Sequence, residues 1–415
     1  MRLFAVFTFA IVFVACSSGP KHELKTGPWR GVLTQQGVEL PINLDIVMDD
    51  SAGYNAYIRN AGEKLLLDEV TFDGDSAIFK LHVFDAELKV KVNGDSLHGF
   101  YIKSYEKNYR VPFKAGFGAN YRFEKVDSTA QATADFTGKY TVVFTNESDT
   151  TPAVGIFQQK GNYAQGTFLT TTGDYRYLEG NVKDGKLMLS TFDGNHAYLF
   201  TATQTSDSTL TGDYWSGKTY HQAWTATKDD KAALPDAESI VALKPGYDRI
   251  DFSFPDVNGN KISPTDERFK NKVLVLQLLG TWCPNCMDET KFLVPWYKQN
   301  RDRGVEILGL AYERKTDFDY ASDRLKKMKA KWNVDYDLVI APSTNDKAEA
   351  SKTLPMLSRV AAFPTTIFIG KDGKVKRIHT GFSGPGTGIY YEQFVQHFNE
   401  TINELLNEPA VSSVQ

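Results

Sequence analysis

The sequence predicts a two-part chain: an all-β N-terminal region of two tandem antiparallel β units, then an α/β domain. Three observations carry this. From Trp29 to Lys228 apolar and polar residues alternate with period two, as in Ala77-Ile78-Phe79-Lys80-Leu81 and Leu88-Lys89-Val90-Lys91-Val92. The runs are broken by Asp73-Gly74, Asn93-Gly94, Asp184-Gly185 and Asp193-Gly194, dipeptides that supply the positive φ of tight hairpins. After residue 248 apolar strands alternate with helical patterns, which gives a mixed sheet with helices packed on it.

At 415 residues the chain is long enough for two to four domains with sizeable cores. Its net charge is −4, and no basic stripe with interleaved aromatics is present, so nucleic acid is not an expected partner. The glycine-rich run Gly381 to Gly388 lacks the Lys-Ser/Thr of a phosphate loop, so it reads as a connecting loop and no cofactor is expected.

The first segment, 1–15, reads as a signal peptide. Leu3 to Ala15 is apolar but too short to span a bilayer comfortably. The stretch Phe13-Val14-Ala15-Cys16-Ser17-Ser18-Gly19 resembles a bacterial lipoprotein lipobox, with Phe13 in place of the commoner Leu. That resemblance implies cleavage before Cys16 and lipidation of Cys16. Residues 16–27 then form a polar tether, whose flexible dozen residues reach roughly 20 Å. Three cysteines are an odd number for an exported chain, and a lipid on Cys16 leaves Cys283 and Cys286 as a pair. The expected location is the cell envelope, lipid-anchored and facing the periplasm. Ser17 and Ser18 favour the outer membrane over the inner.

The β region divides into units at 28–125 and 136–228. Asp95-Ser96-Leu97-His98-Gly99-Phe100-Tyr101 has a counterpart in Ser208-Thr209-Leu210-Thr211-Gly212-Asp213-Tyr214, and Trp29-Arg30-Gly31 echoes Phe136-Thr137-Gly138. The offset stays near about 110 residues, the mark of an internal repeat. The aromatics of this region, among them Tyr101, Tyr105, Tyr109, Tyr175, Tyr177 and Tyr214, read as cross-strand packing rather than a ligand surface. His82, His98, His196 and His221 show no metal-ligand spacing and read as structural or solvated.

Residues 229–247, charged and bearing Ala and Pro, read as a linker to a domain at 248–409. There Val273 to Leu279 is a buried strand, Glu289 to Tyr297 a helical pattern, and Val305 to Tyr312 a second strand. Phe318 to Trp332 is an amphipathic helix. Thr365 to Ile369 and Val375 to His379 form a hairpin, and Tyr391 to Leu406 closes the chain as a helix.

Between the first strand and helix lies Trp282-Cys283-Pro284-Asn285-Cys286. A Cys-x-x-Cys at a strand-to-helix junction is a signature of thiol–disulfide exchange. A thiol at a helix N-terminus meets unpaired N–H groups and the positive dipole end, which favour thiolate. A second thiol one turn on can resolve a mixed disulfide. Pro284 suits the first helical position, where its missing N–H costs nothing. A zinc site would need a second Cys pair or a spaced His pair, and neither is present, so no metal is expected. A purely structural disulfide closing so short a loop would constrain the unfolded chain little.

These residues, with Phe363-Pro364-Thr365-Thr366, the Phe254-Pro255-Asp256-x-x-Gly259 hairpin and the enlarged segment 313–362, resemble the TlpA/ResA branch of the thioredoxin-fold proteins. The resemblance implies a thioredoxin fold over 248–409, Cys283 as attacking thiolate, Cys286 as resolving thiol and a cis Pro364 facing the sulfurs. It implies a substrate groove bounded by Trp282, Pro284, Phe363 and Thr365, with backbone beside Pro364 free to pair with an extended strand. It places Glu289 near the pair as a proton partner of Cys286. Gln277 stands where thioredoxin has a buried Asp, and Phe363 is bulkier than the usual Val, Ile or Thr. The expected function is a membrane-tethered protein-disulfide reductase. Its expected partners are disulfide-containing exported proteins and an electron donor in the membrane or periplasm. The alternatives are an oxidase or isomerase using the same chemistry, and a binding or scaffold lipoprotein whose β units recognise a partner. A peroxidase would need a Thr-x-x-Cys arrangement, which is absent.

Overall fold

The computed structural model describes residues 24–51, 53–130, 134–147 and 149–409. Cys16, the signal segment and most of the tether lie outside the described residues. No helix among the described residues is long and apolar enough to cross a membrane.

The β region folds as two nine-stranded antiparallel sheets, Gly27–Phe117 and Gly138–Lys228. Alternating burial is the reason these segments are strands: every second side chain of Arg110–Phe117 is buried and the others face water. At the turn joining Leu178–Lys183 to Lys186–Phe192, Asp184 and Gly185 take φ of 50° and 73°, the pair of positive values that a two-residue hairpin requires.

The two sheets share one strand order, with the first strand paired to both the second and the ninth. They differ in closure. In the second sheet Tyr163–Thr170 pairs with both Thr150–Lys160 and Leu178–Lys183, which closes the ring, whereas among the described residues no strand pairing joins the two end strands of the first sheet, Glu63–Leu66 and Glu69–Asp73. The closed barrel is filled by Phe144, Phe168, Phe200, Tyr214 and Trp224, with the Phe200 and Tyr214 rings stacked at 4.4 Å. Phe192, Ala197 and Leu199 of the second sheet pack into the core of the first. The buried Arg122 donates to the Pro41 carbonyl at 2.8 Å and Asn60 Oδ1 at 3.0 Å, and lies 3.4 Å from Glu179, tying the sheets together.

The C-terminal part is a five-stranded sheet in the order Asp337–Ile340, Val305–Ala311, Val273–Leu279, Thr365–Ile369, Val375–Thr380. The first three strands are parallel and the last two antiparallel. Helices α1 (Pro284–Asn300), α2 (Phe318–Trp332), α3 (Lys347–Thr353) and α4 (Ile389–Asn407) complete it. Helix α1 is longer at both ends than the apolar pattern predicts, because Cys283 serves as its N-cap and Pro284 starts it. Helix α3 has no counterpart in the sequence reading. The segment expected as a linker is docked rather than free. Val241 is buried in the α/β core, and Lys244 N–H donates to the Met356 carbonyl at 2.8 Å.

The candidate redox site and its β wall

The central strand Val273–Leu279 is buried along its whole length and delivers the chain to the Trp282–Cys286 loop. Glu313, fully inside the protein, fixes this loop from below. One of its carboxylate oxygens accepts from Thr281 N–H at 2.8 Å and the other from Thr281 Oγ at 2.7 Å. Burial pushes the Glu313 carboxyl up, against these hydrogen bonds that favour its charged form. Trp282 Nε1 donates to the Tyr312 carbonyl at 2.8 Å.

Cys283 and Cys286 are joined as a disulfide. Cys286 N–H donates to Cys283 Sγ at 3.2 Å, the N-capping geometry of α1. Cys283 Sγ lies 3.4 Å from the carbonyl oxygen of Phe363, and the Phe363-Pro364 peptide bond is cis. The Phe363 ring packs edge-on to Trp282 at 5.7 Å.

On the inner side of α1, Glu289 is fully buried. It accepts from Gln277 Nε2 at 2.7 Å and from Thr366 Oγ1 at 2.5 Å. Burial pushes its carboxyl up to about 7, although both hydrogen bonds favour the charged form.

The outer face of the loop is covered by the second β sheet. Asn195 Nδ2 donates to the Trp282 carbonyl at 2.9 Å, and Arg176 donates to the Pro284 carbonyl at 3.3 Å. Asn285 Nδ2 donates to the Asp174 carbonyl at 3.2 Å, and Asp174 Oδ2 accepts from Gly384 N–H at 2.7 Å. The Arg176 guanidinium is buried against Glu63 of the first sheet, Asp193 of the second and Asp288 of α1. Burial opposes its charge, but the Asp288 and Glu63 carboxylates outweigh this and hold its pKa well above the usual value. Burial pushes Asp174 up to about 6. Under this cover Cys283 is only 5% exposed and Cys286 not at all.

Residues 245–378 match the family model AhpC/TSA family. The chain carries an AhpC/TSA-family domain. It is similar to the thiol-disulfide oxidoreductase ResA of Bacillus thuringiensis subsp. konkukian, 31% identical over 130 residues, covering 31% of this chain and 66% of that relative. The ResA of Bacillus subtilis is 25% identical over 140 residues, covering 34% of this chain and 69% of its own length. Among solved structures, a thiol-disulfide oxidoreductase from Bacteroides fragilis covers 36% of this chain and 99% of its own, at 22% identity and a TM-score of 0.27. A thioredoxin family thiol:disulfide interchange protein from Chlorobium tepidum covers 40% of this chain and 100% of its own, at 19% identity and a TM-score of 0.30.

The AhpC/TSA domain brings Trp282, Cys283, Pro284 and Phe363 to one cleft, and Asn285 joins them. Pro364 and Thr365 do not line it; Thr365 turns its hydroxyl to the Ala362 carbonyl at 2.9 Å. The backbone beside Pro364, expected to be free for a strand, is partly taken within the α/β domain. Pro364 O accepts from Gly381 N–H at 3.0 Å, and a Cβ on Gly381 would sit 3.1 Å from the Thr172 carbonyl carbon. Sequence reasoning missed Asp174, Arg176, Asn195, His196, Tyr198 and Glu313. The Asp193-Gly194 turn was legible as a hairpin, but nothing local to it shows which surface it meets.

Proposed function

We propose that the chain is a thiol–disulfide oxidoreductase running as a reductase, held at the cell envelope by a lipid on Cys16. The observation that carries the redox reading is the bonded Cys283–Cys286 pair at the N-terminus of α1. Membrane tethering rests on the lipobox resemblance, the outer membrane on Ser17 and Ser18, and the periplasmic side on the lack of an acidic run after them. The substrates on this reading are disulfides outside the cytosol, with exported proteins and a membrane or periplasmic dithiol donor as the partner classes.

In the reduced protein the Cys283 thiolate attacks one sulfur of a substrate disulfide. A mixed disulfide forms, and the other substrate sulfur leaves as a thiolate and takes a proton. Cys286 then attacks Cys283 Sγ, which releases the second substrate sulfur and restores the Cys283–Cys286 bond. Two electrons pass from the protein dithiol to the substrate, and an external dithiol must return them. Glu289, whose carboxyl titrates near neutrality, is suited to exchange a proton with Cys286 during the second step.

The test is reduction by dithiothreitol of insulin and, separately, of bis(2-hydroxyethyl) disulfide, with wild type, Cys283→Ser and Cys286→Ser. Acceleration of either by wild type alone supports the reading, and equal rates in all three with both disulfides remove it. A redox titration decides direction: a potential near that of glutathione or higher would point to an oxidase or isomerase.

A further inference from the structure

Cys283 lines a cleft of about 210 Å³. That is below the roughly 300–1,000 Å³ of sites that hold drug-sized ligands. More than half of its wall belongs to the second β sheet: the turn from Thr170 to Arg176, and His196 with Tyr198. These residues are fixed in place. His196 Nδ1 sits 3.0 Å from Asp193, its ring is stacked on Tyr198 at 4.9 Å, and Tyr198 packs edge-on to Tyr175 at 5.3 Å. Asn195, already bonded to the Trp282 carbonyl, also accepts from Arg314 at 3.1 Å and from Tyr105 Oη at 3.2 Å. The Trp282 and Pro284 carbonyls, which an extended peptide could use for backbone pairing, are taken by Asn195 and Arg176, and the Thr172–Gly173 backbone of the wall lies against Gly381, whose N–H is bonded to the Pro364 carbonyl.

We propose that the Thr170–Arg176 turn and the His196–Tyr198 segment are the substrate-selecting wall of the redox site, admitting low-molecular-weight disulfides to Cys283 and excluding an extended peptide. The proposal rests on the reductase reading and narrows its substrate class. A small disulfide R–S–S–R enters beside Tyr198, and its S–S bond breaks as Cys283 Sγ bonds one sulfur. Attack by Cys286 then releases the second RS⁻, so the protein dithiol is oxidised and two RSH are formed. Tyr198 and His196 act as specificity-determining residues that shape the opening.

The experiment is a single turnover of the full chain, pre-reduced with dithiothreitol and freed of it. The protein is mixed with bis(2-hydroxyethyl) disulfide or with insulin. Re-formation of the Cys283–Cys286 bond is read by quenching with iodoacetamide and weighing the peptide that holds both cysteines. Each rate is divided by that of free glutathione with the same disulfide. The expected normalised rate is at least about tenfold higher for the small disulfide, and Asn195→Ala and Tyr198→Ala each reduce that preference about tenfold or more. The two variants disturb the wall at separate points, so misfolding of one leaves the other decisive. A wild-type preference below tenfold, or a preference unchanged in the folded variants, overturns the proposal. Oxidation of wild type no faster than glutathione with either disulfide is a different result, and it would remove the reductase reading along with this one.

Discussion

Arg176 of the second β sheet forms a buried ion pair with Asp288, two residues beyond Cys286 on helix α1. The same guanidinium meets Glu63 of the first sheet and Asp193 of the second. One side chain therefore joins all three parts of the chain beside the redox pair.

Arg176→Ala should be among the most destabilising single changes in this protein. It leaves three buried carboxylates without their shared cation, Asp288 keeping only Lys291 at 3.1 Å and Asp193 only His196 at 3.0 Å, a loss of about 3–5 kcal/mol. Urea unfolding measures this. In a cycle with Asp288→Asn the double variant should lose less than the sum of the two single variants, because the second change removes a charge that the first left unpaired.

Glu289 gives the fold a pH dependence of definite sign. Its folded value of about 7 lies above its ordinary 4.5, so between those limits the folded chain holds a proton that the unfolded chain has released. Stability from this group falls as pH rises through that window, by about 3 kcal/mol in total. Glu289→Gln should abolish this fall, its single amide oxygen keeping an acceptor for one of the two donors, Gln277 or Thr366. Denaturation of wild type and variant at pH 5 and pH 8 checks it.

The two cysteines should behave unequally. With a supplied disulfide, Cys286→Ser should accumulate a mixed disulfide on Cys283, visible as added mass on that peptide. Cys283→Ser should accumulate none, since Cys286 is fully buried. Equal trapping by both variants would reverse the assignment of attacking and resolving thiol.

Thr281→Val keeps the side-chain shape and removes the hydroxyl that donates to Glu313 at 2.7 Å. One buried acceptor oxygen is then unsatisfied, at a cost of about 1–3 kcal/mol. The midpoint of urea unfolding should drop with an unchanged slope.

Local pattern carried much of this molecule. Period-two alternation and Asp-Gly or Asn-Gly turns mark the strands of both sheets, and α2 spans the residues its apolar spacing indicates. The neighbourhood of Glu289 is half legible. Its place three residues after Cys286 is visible in the sequence, but its hydrogen bonds come from Gln277 on one strand and Thr366 on another. Arg176 carries no signal at all: its partners Glu63 and Asp288 are 113 and 112 residues away.

The sequence by itself determined the kind of chemistry, because a Cys-x-x-Cys between a buried strand and a helix start is a local arrangement. It also determined the β character of the first half, because strand alternation is a local property. Only the tertiary structure decided that the β half forms a wall of the redox site. That wall depends on long-range partners, from Asp174 against Gly384 to Asn195 against Trp282, and no spacing along the chain records which hairpin turn will meet which loop.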